Sequence, residues 1–368
     1  MQSKVGSQCL EVDLGDRSYD ILIGGNLSKE ISEMQDILIS EGRKVVALVD
    51  RGFAEANVLF VDQLLSEIAY LEIPSGESSK SVEWLSKGWD FLASNKIDRT
   101  GVLFVLGGGV TGDLGGFLAA SYLRGIDFVQ FPTTLLAMVD SSVGGKTGIN
   151  LHAGKNLVGA FHQPRNVFID LKLLTTLPER EFSAGMAEVI KYGMLGNLSL
   201  YQQLSELPEK LSGQSHELPK MVYHCCKDKA TIVRNDERES DPEGGRALLN
   251  LGHTFAHAIE AVAGYGQYLH GEAVAIGLVC AFRLSQKLGF CENDLESKLL
   301  ELLQRYNLPI RLEEPLPRVK LLDSMRSDKK VQKGNLRFIV MKEIGESFIE
   351  QEVDLTYVID VLETIGAE

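Results

Sequence analysis

Three of the chain's seven histidines fall within 18 positions, in the segment LNLGHTFAHAIEAVAGYGQYLHGEAVAIG (249–277). His253 and His257 are four residues apart in an apolar helical pattern, so both side chains are expected on one face of a helix. His270 comes just before the next apolar run. Imidazole nitrogens bind metal ions and carry protons near neutral pH. The spacing therefore indicates a metal site, an acid–base site or packed core histidines, and all three remain open at this point.

A carboxylate that could join the histidines occurs in FSAGMAEVIKYGML. Glu188 and Lys191 are three residues apart, on the same side of an apolar helix. Charged side chains are rarely buried unless they are paired or bound to something, so this pair is either a structural salt bridge or part of a site. Glu188 with two of the histidines would make a Glu/His/His set suited to a catalytic zinc, which leaves the third histidine for proton transfer.

A glycine-rich turn follows a buried strand in VLFVLGGGVTGDLGGFLAASYLRG, where Gly107, Gly109 and Gly112 satisfy the pattern GxGxxG. Such glycines let the backbone close around a pyrophosphate at a helix N-terminus. The turn does not follow the first strand, so the pattern predicts a nucleotide site other than an ordinary Rossmann first turn. Asp50, at the end of KVVALVD, could bind a ribose or cap a helix.

Lysines flanked by glycines occur in GGKTGINLHAGKN, where Lys146 and Lys155 have few acidic neighbours. Such lysines can approach an anionic ligand closely, so we expect them to bind one. Arg124 and Arg246 can add positive charge from other segments. The sequence around Lys146 resembles the end of a P-loop, but Asp140 stands where that motif requires its first glycine, which disfavours a nucleotide triphosphatase.

The composition indicates a globular protein, with 44% apolar and 24% charged residues. Its formal net charge is 37 − 51 = −14, which predicts no bulk attraction to nucleic acid or to anionic membranes. The longest apolar runs fall short of the roughly 20 residues that span a bilayer, and no signal-peptide pattern is evident. Five cysteines without a CxxC pair suit reduced thiols. We therefore expect a cytoplasmic protein without nucleic-acid or membrane partners.

Short β-branched runs alternate with helical stretches in the first half of the chain: KVVALVD (44–50), GVLFVLGG (101–108), DFVQFPTT (127–134) and NVFIDL (166–171). Continuous apolar strands flanked by helices predict a mainly parallel sheet that is covered on both faces. Helical periodicity dominates after LPEREF. The expected fold class is a Rossmann-like α/β domain at 1–176 followed by a mostly α-helical domain at 177–368.

Six blocks, in order, resemble the 3-dehydroquinate synthase family of the sugar-phosphate cyclases: GGGVTGDLGGFLAASYLRG, QFPTTLLAMVDSSVGGKTGIN, GKNLVGAFHQP, AGMAEVIKYG, LNLGHTFAHAIE and HGEAV. The resemblance extends from VDLGDRSYDILIGGNL to DKKVQKGNLRFIV, which is nearly the whole chain. It implies a dehydroquinate-synthase-like fold, with NAD bound in the first domain and metal and substrate in the second. It also implies a homodimer.

The resemblance further implies roles for individual residues. The metal, normally zinc with cobalt or another divalent ion as alternatives, would be held by Glu188, His253 and His270. His257 would act near the substrate. The implied NAD contacts are Asp50, Glu77, Lys80, Gly108, Gly109, Val110, Asp113, Thr133, Thr134, Lys146, Lys155 and Thr176. The implied catalytic and substrate-binding residues are Arg124 (reaching the phosphate from the partner subunit), Asp140, Lys146, Lys155, Asn156, Lys191, Lys229, Arg246, Asn250 and either Lys329 or Lys330.

The implied reaction converts 3-deoxy-D-arabino-heptulosonate 7-phosphate, a sugar-acid phosphate, into 3-dehydroquinate and phosphate. A hydroxyl is oxidised by NAD⁺, phosphate leaves by elimination, the hydride returns, and the ring closes by an aldol step. Two features depart from the family pattern. His162 replaces a more usual aromatic residue and is expected to be structural, and the loop ESDPEGGR before Arg246 is longer than usual.

Three alternatives follow from the same residues. A related cyclase acting on a sedoheptulose phosphate would share the NAD and metal sites, but Arg246, Asn250 and His257 together favour a substrate with a carboxylate. A metal-dependent polyol or alcohol dehydrogenase would release NADH and would leave the phosphate-binding lysines without a role. A zinc-stabilised scaffold without activity is disfavoured because a candidate stands at every catalytic position.

Overall fold

The computed structural model describes residues 7–241, 244–291, 295–327 and 336–368, except for the side chain of Ser327. The described chain forms two units. The first takes the residues up to Pro178 together with Leu211–Arg234, and the second takes Glu179–Lys210 together with Asn235–Glu368.

Eleven strands occur in the described residues, nine of them in the first unit. In chain order they are β1 (Gln8–Val12), β2 (Tyr19–Gly24), β3 (Val45–Asp50), β4 (Ala69–Ile73), β5 (Val102–Gly107), β6 (Asp127–Pro132), β7 (Lys146–Leu151), β8 (Gly154–Phe161), β9 (Asn166–Asp170), β10 (Phe338–Glu343) and β11 (Glu346–Glu350).

Thirteen α-helices occur in the same residues. They are α1 (Ser28–Ser40), α2 (Arg51–Ala56), α3 (Val58–Leu65), α4 (Val82–Ser94), α5 (Gly109–Ser121), α6 (Glu179–Leu195), α7 (Leu198–Glu206), α8 (Leu218–Asn235), α9 (His253–Ala263), α10 (His270–Lys287), α11 (Glu296–Arg305), α12 (Arg318–Ser327) and α13 (Leu355–Thr364).

The first unit is built on a seven-stranded sheet with the order β1-β2-β9-β6-β5-β3-β4. Only the β1–β2 pair is antiparallel, so the predicted mainly parallel sheet is confirmed. The four strands predicted from β-branched runs are β3, β5, β6 and β9. A separate antiparallel hairpin joins β7 to β8, and its glycine-rich sequence gave no strand signal.

Strand β5 shows why these runs are apolar throughout. All six of its residues are buried. Leu103 and Val105 belong to one core cluster with Leu114 and Leu118 of α5. Phe104 packs against the tilted ring of Phe131 in the neighbouring strand β6. Alternate residues of a strand point to opposite faces. Both faces of the sheet are therefore covered, as a parallel sheet requires.

The strand order reverses at β3, which pairs with β4 on one side and with β5 on the other. The carboxyl ends of β3 and β5 carry Asp50 and Gly107. In open parallel sheets, ligands bind beside the carboxyl ends of strands at this reversal point. The topology thus explains how a glycine turn that does not follow the first strand can still line a nucleotide site.

The second unit is mostly helical, as predicted, with one hairpin (β10–β11) that the sequence interpretation missed. Every residue of α6 from Phe182 to Leu195 is buried. Close helix packing depends on glycine here. A Cβ at Gly277 would lie 2.2 Å from the carbonyl oxygen of Gly252, and a Cβ at Gly271 would lie 1.9 Å from that of Ala184. Among the described residues, no helix has the length and hydropathy needed to cross a bilayer.

Truncating a core leucine of α5 tests the packing of the first unit. Leu118 is 1% exposed and packs against Gly88 of α4. Leu118→Ala should lower the free energy of unfolding by about 2–5 kcal/mol, because it leaves a cavity as well as removing buried methyl groups. The matched control is Leu59→Ala at an 86% exposed position, which should change it by no more than about 0.5 kcal/mol. Equal effects in urea denaturation would contradict the packing described here.

Candidate active site

One buried carboxylate and two imidazoles converge in the second unit. Glu188 lies in the middle of α6, His253 is the first residue of α9, and His270 is the first residue of α10. Glu188 Oε1 lies 3.6 Å from His253 Nε2 and 3.8 Å from His270 Nε2. One ligand atom from each of the three residues lies within 4.8 Å of the others. This is the donor set and spacing of a metal site with three protein ligands.

The burial of Glu188 shows that these residues fit a metal ion. Its side chain is 1% exposed, and Oε1 accepts no hydrogen bond from the described part of the chain. A buried carboxylate oxygen without a partner is costly. A divalent cation bound by Oε1 and the two Nε2 atoms would supply the missing partner.

The other nitrogen of each imidazole is already engaged. His253 Nδ1 lies 3.1 Å from the carbonyl oxygen of Leu251, and His270 Nδ1 lies 3.3 Å from Glu260 Oε2. When Nδ1 carries the proton and donates to these oxygens, each Nε2 keeps a lone pair directed towards Glu188. The two acceptor oxygens therefore favour the tautomer in which Nε2 can bind a metal.

Sequence analysis missed Glu260, although a signal was present. Glu260 is seven residues after His253, so the two share a face of α9, and it is an acid in an otherwise apolar stretch. Its side chain is 6% exposed. A carboxylate that accepts from the distal nitrogen of a histidine ligand orients the ring and raises its basicity.

His257 lies beside this group but is not one of the three residues whose ligand atoms come together. It is exposed, with its ring centroid 5.5 Å from that of His253 and 6.1 Å from that of His270. The group of residues that could hold a metal therefore contains one histidine of α9 together with His270 of α10, and not both histidines of α9.

Lys191 forms an ion pair with Oε2 of Glu188, and its side chain is also 1% exposed. The salt bridge considered from the spacing is therefore present. The carboxylate of Glu188 also faces the imidazoles of His253 and His270, so the salt bridge is part of the site as well as of the packing.

The segment before α9 carries Arg246 and Asn250 on a 3-10 helix, Gly245–Asn250. Arg246 is 2% exposed, and its Nη1 donates to the carbonyl oxygen of Glu237 at 2.7 Å. Asn250 Nδ2 donates to Glu239 Oε1 at 3.1 Å. Both predicted residues are therefore held by the loop that precedes them. Lys329 and Lys330 lie outside the described residues.

Asp236 organises that loop, and sequence analysis missed it. Its carboxylate accepts from the backbone N–H of Arg246 at 3.0 Å and of Ser240 at 2.8 Å. Burial alone would raise the pKa of Asp236, but these N–H donors hold it below its ordinary value. Gly245 has a φ of +41°, and a Cβ there would lie 2.4 Å from Asp236 Oδ2, so only glycine fits at this position.

In the first unit, the glycine turn packs closely against neighbouring side chains. Gly108 caps the N-terminus of α5, and a Cβ there would lie 3.1 Å from Thr134 Cγ2. Thr133 N donates to the carbonyl oxygen of Gly107 at 3.0 Å. Five of the predicted NAD contacts thus lie at one place, the positive end of a helix, where phosphates bind: Gly108, Gly109, Val110, Thr133 and Thr134.

A polar cluster forms elsewhere in this unit. Lys80 is 4% exposed and contacts both Asp113 and Asn156. Glu77 Oε1 accepts from Asn150 Nδ2 at 2.7 Å and lies 4.0 Å from Lys155 Nζ. The structure therefore brings together five predicted residues that are far apart in sequence, and Asn150 is a member that the sequence did not reveal.

Asp50 and Thr176 have partners of their own. Asp50 Oδ1 accepts from Phe53 N at 2.9 Å and Ser75 Oγ at 2.7 Å, so this oxygen caps α2, which was one of its two predicted roles. Thr176 Oγ1 exchanges hydrogen bonds with the side chain of Asn57.

Asp140 lies in a single π-helical turn, Ala137–Ser141, an irregularity frequent at functional sites. Lys229 of α8 donates to its carbonyl oxygen at 2.7 Å and to its Oδ1 at 2.9 Å. Burial raises the pKa of nearby Cys226 to about 12, so this thiol is not a nucleophile. Lys146 and Arg124 are exposed.

His162 is held by aromatic and backbone contacts. Its ring stacks on Phe128 at a centroid distance of 5.3 Å, and Nε2 lies 2.9 Å from the carbonyl oxygen of Ile126. These contacts support the predicted structural role.

Removing the second carboxylate tests the metal centre. Glu260→Ala should weaken zinc binding by about 10–100-fold, because His270 loses the acceptor that orients its ring. The measurement is a competition titration of the metal-stripped protein against a coloured chelator. Glu296→Ala, which removes a partly exposed acid from the ion pair with Arg283, is the control and should bind zinc normally. Unchanged affinity in Glu260→Ala would show that this contact does not orient a ligand.

Comparison with known proteins gives two family matches that adjoin in sequence. Residues 70–184 match the family model described as 3-dehydroquinate synthase N-terminal, and residues 185–331 match the one described as 3-dehydroquinate synthase C-terminal. A 3-dehydroquinate synthase from Opitutus terrae is 51% identical over 358 residues, which cover 97% of this chain and 99% of the relative.

Two solved structures share the fold. A 2-deoxy-scyllo-inosose synthase, complexed with carbaglucose-6-phosphate, NAD⁺ and Co²⁺, has a TM-score of 0.83 at 23% identity and covers 97% of this chain and 100% of that chain. A 2-epi-5-epi-valiolone synthase from Streptomyces hygroscopicus, with NAD⁺ and Zn²⁺ bound, has a TM-score of 0.83 at 22% identity and covers 96% and 98%.

Proposed function

Since this chain belongs to the 3-dehydroquinate synthase family, we propose that it converts 3-deoxy-D-arabino-heptulosonate 7-phosphate into 3-dehydroquinate and phosphate. This is the second step of the shikimate pathway, which leads to aromatic amino acids. The observation that carries the proposal is the 51% identity to a 3-dehydroquinate synthase along nearly the whole of both chains. The buried Glu/His/His group supports it from the structure.

Bound NAD would take up and return a hydride, and a divalent metal held by Glu188, His253 and His270 would act as a Lewis acid on substrate oxygens. Zinc is our first choice of metal, with cobalt as an alternative. The two solved structures support NAD and a divalent metal as cofactors, because one contains NAD⁺ with Co²⁺ and the other NAD⁺ with Zn²⁺.

We assign NAD binding to the first unit, within the predicted domain 1–176. The glycine turn supports this, since its N–H groups form the positive end of α5 and the strand order reverses beside it. The proposed contacts are the ones predicted from the sequence: Asp50, Glu77, Lys80, Gly108, Gly109, Val110, Asp113, Thr133, Thr134, Lys146, Lys155 and Thr176.

Cationic side chains are proposed to bind the phosphate and the carboxylate of the substrate. Lys191, Lys229 and Arg246 are each at most 6% exposed. Because little water surrounds them, their charge acts on an anion with less screening than at the surface, and their hydrogen bonds to it are charge-assisted. The other proposed contacts are Arg124, Asp140, Lys146, Lys155, Asn156, Asn250 and a lysine at 329 or 330.

His257 is proposed to transfer protons. Its exposed ring lies beside the two histidine ligands without being one of the three. An imidazole can both accept and donate a proton near neutral pH, so this residue can serve the elimination and ring-closing steps.

A homodimer is proposed on the basis of exposed apolar side chains in the first unit. Strand β8 exposes Leu157, Val158 and Phe161, at 39%, 37% and 45%. Leu123, next to Arg124, is 40% exposed. A second copy of the chain that covers such a surface would remove apolar area from water and could receive Arg124. The cytoplasm is the proposed location, and the net charge of −14 argues against nucleic-acid and membrane partners.

The alternatives are not favoured. The cyclases with other names are only 23% and 22% identical, which shows a shared fold alone. A probable glycerol dehydrogenase is more distant still, with a TM-score of 0.56 at 14% identity.

The two histidines of α9 should respond differently to truncation. His253→Ala should lose bound zinc and activity together, because it removes a ligand. His257→Ala should keep most of its zinc while turnover falls by about 10²–10⁴-fold, because a proton-transfer group is lost. Metal content by mass spectrometry and steady-state rates make the comparison. A full zinc equivalent in His253→Ala, or loss of zinc in His257→Ala, would reverse the assignments.

The function itself is tested by phosphate release from 3-deoxy-D-arabino-heptulosonate 7-phosphate with catalytic NAD⁺ and zinc, while the NADH absorbance is followed. We expect phosphate release that stops on chelation, without NADH accumulation, because the hydride returns in every cycle. Steady NADH accumulation would indicate a dehydrogenase. No phosphate release, with turnover of a sedoheptulose phosphate, would indicate the other cyclase activity.

A further inference from the structure

The N-terminus of α10, where His270 lies, is held by a carboxylate that the proposed reaction does not use. Glu272 is the third residue of this helix, and its Oε2 accepts from the backbone N–H of Leu269 at 2.8 Å. Leu269 caps the helix, and His270 follows it directly. An acid that reaches back to the capping residue satisfies a donor at the helix end and fixes where the helix begins.

Arg180 of α6 holds that carboxylate in turn. Its Nε donates to Glu272 Oε1 at 2.6 Å and its Nη2 to Oε2 at 2.8 Å. Two parallel hydrogen bonds from a planar guanidinium fix the orientation of a carboxylate as well as its position, which a lysine cannot do. Glu272 has a side chain only 13% exposed, whereas Arg180 is 61% exposed.

The contacts along α6 follow a regular order. Arg180, Ala184 and Glu188 are four residues apart, so they lie along one face of the helix. Arg180 forms the ion pair with Glu272. The backbone of Ala184 contacts Gly271 so closely that a Cβ there is excluded. Glu188 lies 3.8 Å from His270 Nε2. The first turn of α10 is therefore aligned with two turns of α6, about 12 Å of helix.

We propose that Arg180 and Glu272 are positioning residues for the metal centre, because they set the place of His270 relative to Glu188. The inference rests on the metal site of the proposed function. An ion pair with so exposed an arginine adds little to stability. The pair instead affects the distance between Glu188 and His270. This is because α6 carries Glu188 and also holds the N-terminus of α10, where His270 lies.

The pair can be changed without disturbing the core. It borders an open cavity of about 240 Å³ that is lined by Glu179, Arg180, Ser183, Glu272, Asn307 and Leu308. Substituted side chains of similar size therefore have room. Suitable variants are Glu272→Gln, Arg180→Gln and Arg180→Lys, of which the last keeps the charge but not the two parallel hydrogen bonds.

The matched control lies at the other end of the same helix. Arg283 of α10 donates through Nε to Glu296 Oε1 at 2.8 Å. Arg283→Gln also removes an arginine–carboxylate contact from α10. Arg283 lies near the C-terminal end of the helix, whereas His270 begins it, so this contact does not hold the helix N-terminus.

The experiment loads the full-length, metal-stripped proteins with cobalt(II) and measures two quantities. One is the cobalt affinity by chelator competition, and the other is the visible absorption spectrum, which reports ligand geometry. Thermal unfolding of the metal-free proteins is measured in parallel. We expect Glu272→Gln and Arg180→Gln to weaken cobalt binding about tenfold and to alter the spectrum, with Arg180→Lys intermediate. The control should match the unsubstituted protein in both.

Two results would overturn the proposal. The first is that the three variants bind cobalt with the affinity and spectrum of the unsubstituted protein. The second is that the metal-free variants are less stable to heat, by an amount that accounts for their weaker cobalt binding, while the spectrum of the bound cobalt stays unchanged. In that case the pair would be merely structural. Failure of the unsubstituted protein to bind cobalt would instead count against the metal site itself.

Discussion

The buried carboxylate of Glu188 is the constraint on which the rest of the second unit depends. A carboxylate at 1% exposure needs polar partners. Lys191 compensates one oxygen, and the imidazoles of His253 and His270 face the other. Because both histidines begin their helices, the N-termini of α9 and α10 both lie next to this single group on α6.

Bringing three helices so close requires that side chains be absent at the contacts. Gly252 and Gly277 let α9 and α10 approach, and Gly271 lets α10 rest on the backbone of α6. The glycine turn of the first unit has a similar basis, since Thr134 occupies the space that a Cβ at Gly108 would take. In both units, glycine therefore allows a close approach that a Cβ would block.

The charge of the chain is distributed in a way that suits an anionic substrate. The surface is acidic overall, with a net charge of −14, while Lys80, Lys191, Lys229 and Arg246 are buried. Each of them meets a carboxylate or a carbonyl oxygen, for example Lys229 at Asp140 and Arg246 at Glu237. These contacts fix the orientation of the cationic groups inside a chain whose net charge is negative.

The sequence by itself determined the mainly parallel sheet, the helical second part, and the candidate residues Glu188, His253 and His270, because buried strands and ligand types leave local patterns. It also determined the family, through six blocks in order. Only the tertiary structure decided that Asp50 caps α2, and that Glu260, Asp236 and Asn150 hold predicted residues in place. These roles depend on contacts between segments far apart in the chain or on the direction of a side chain. A local pattern carries neither kind of information, because both are set by how the helices and strands pack.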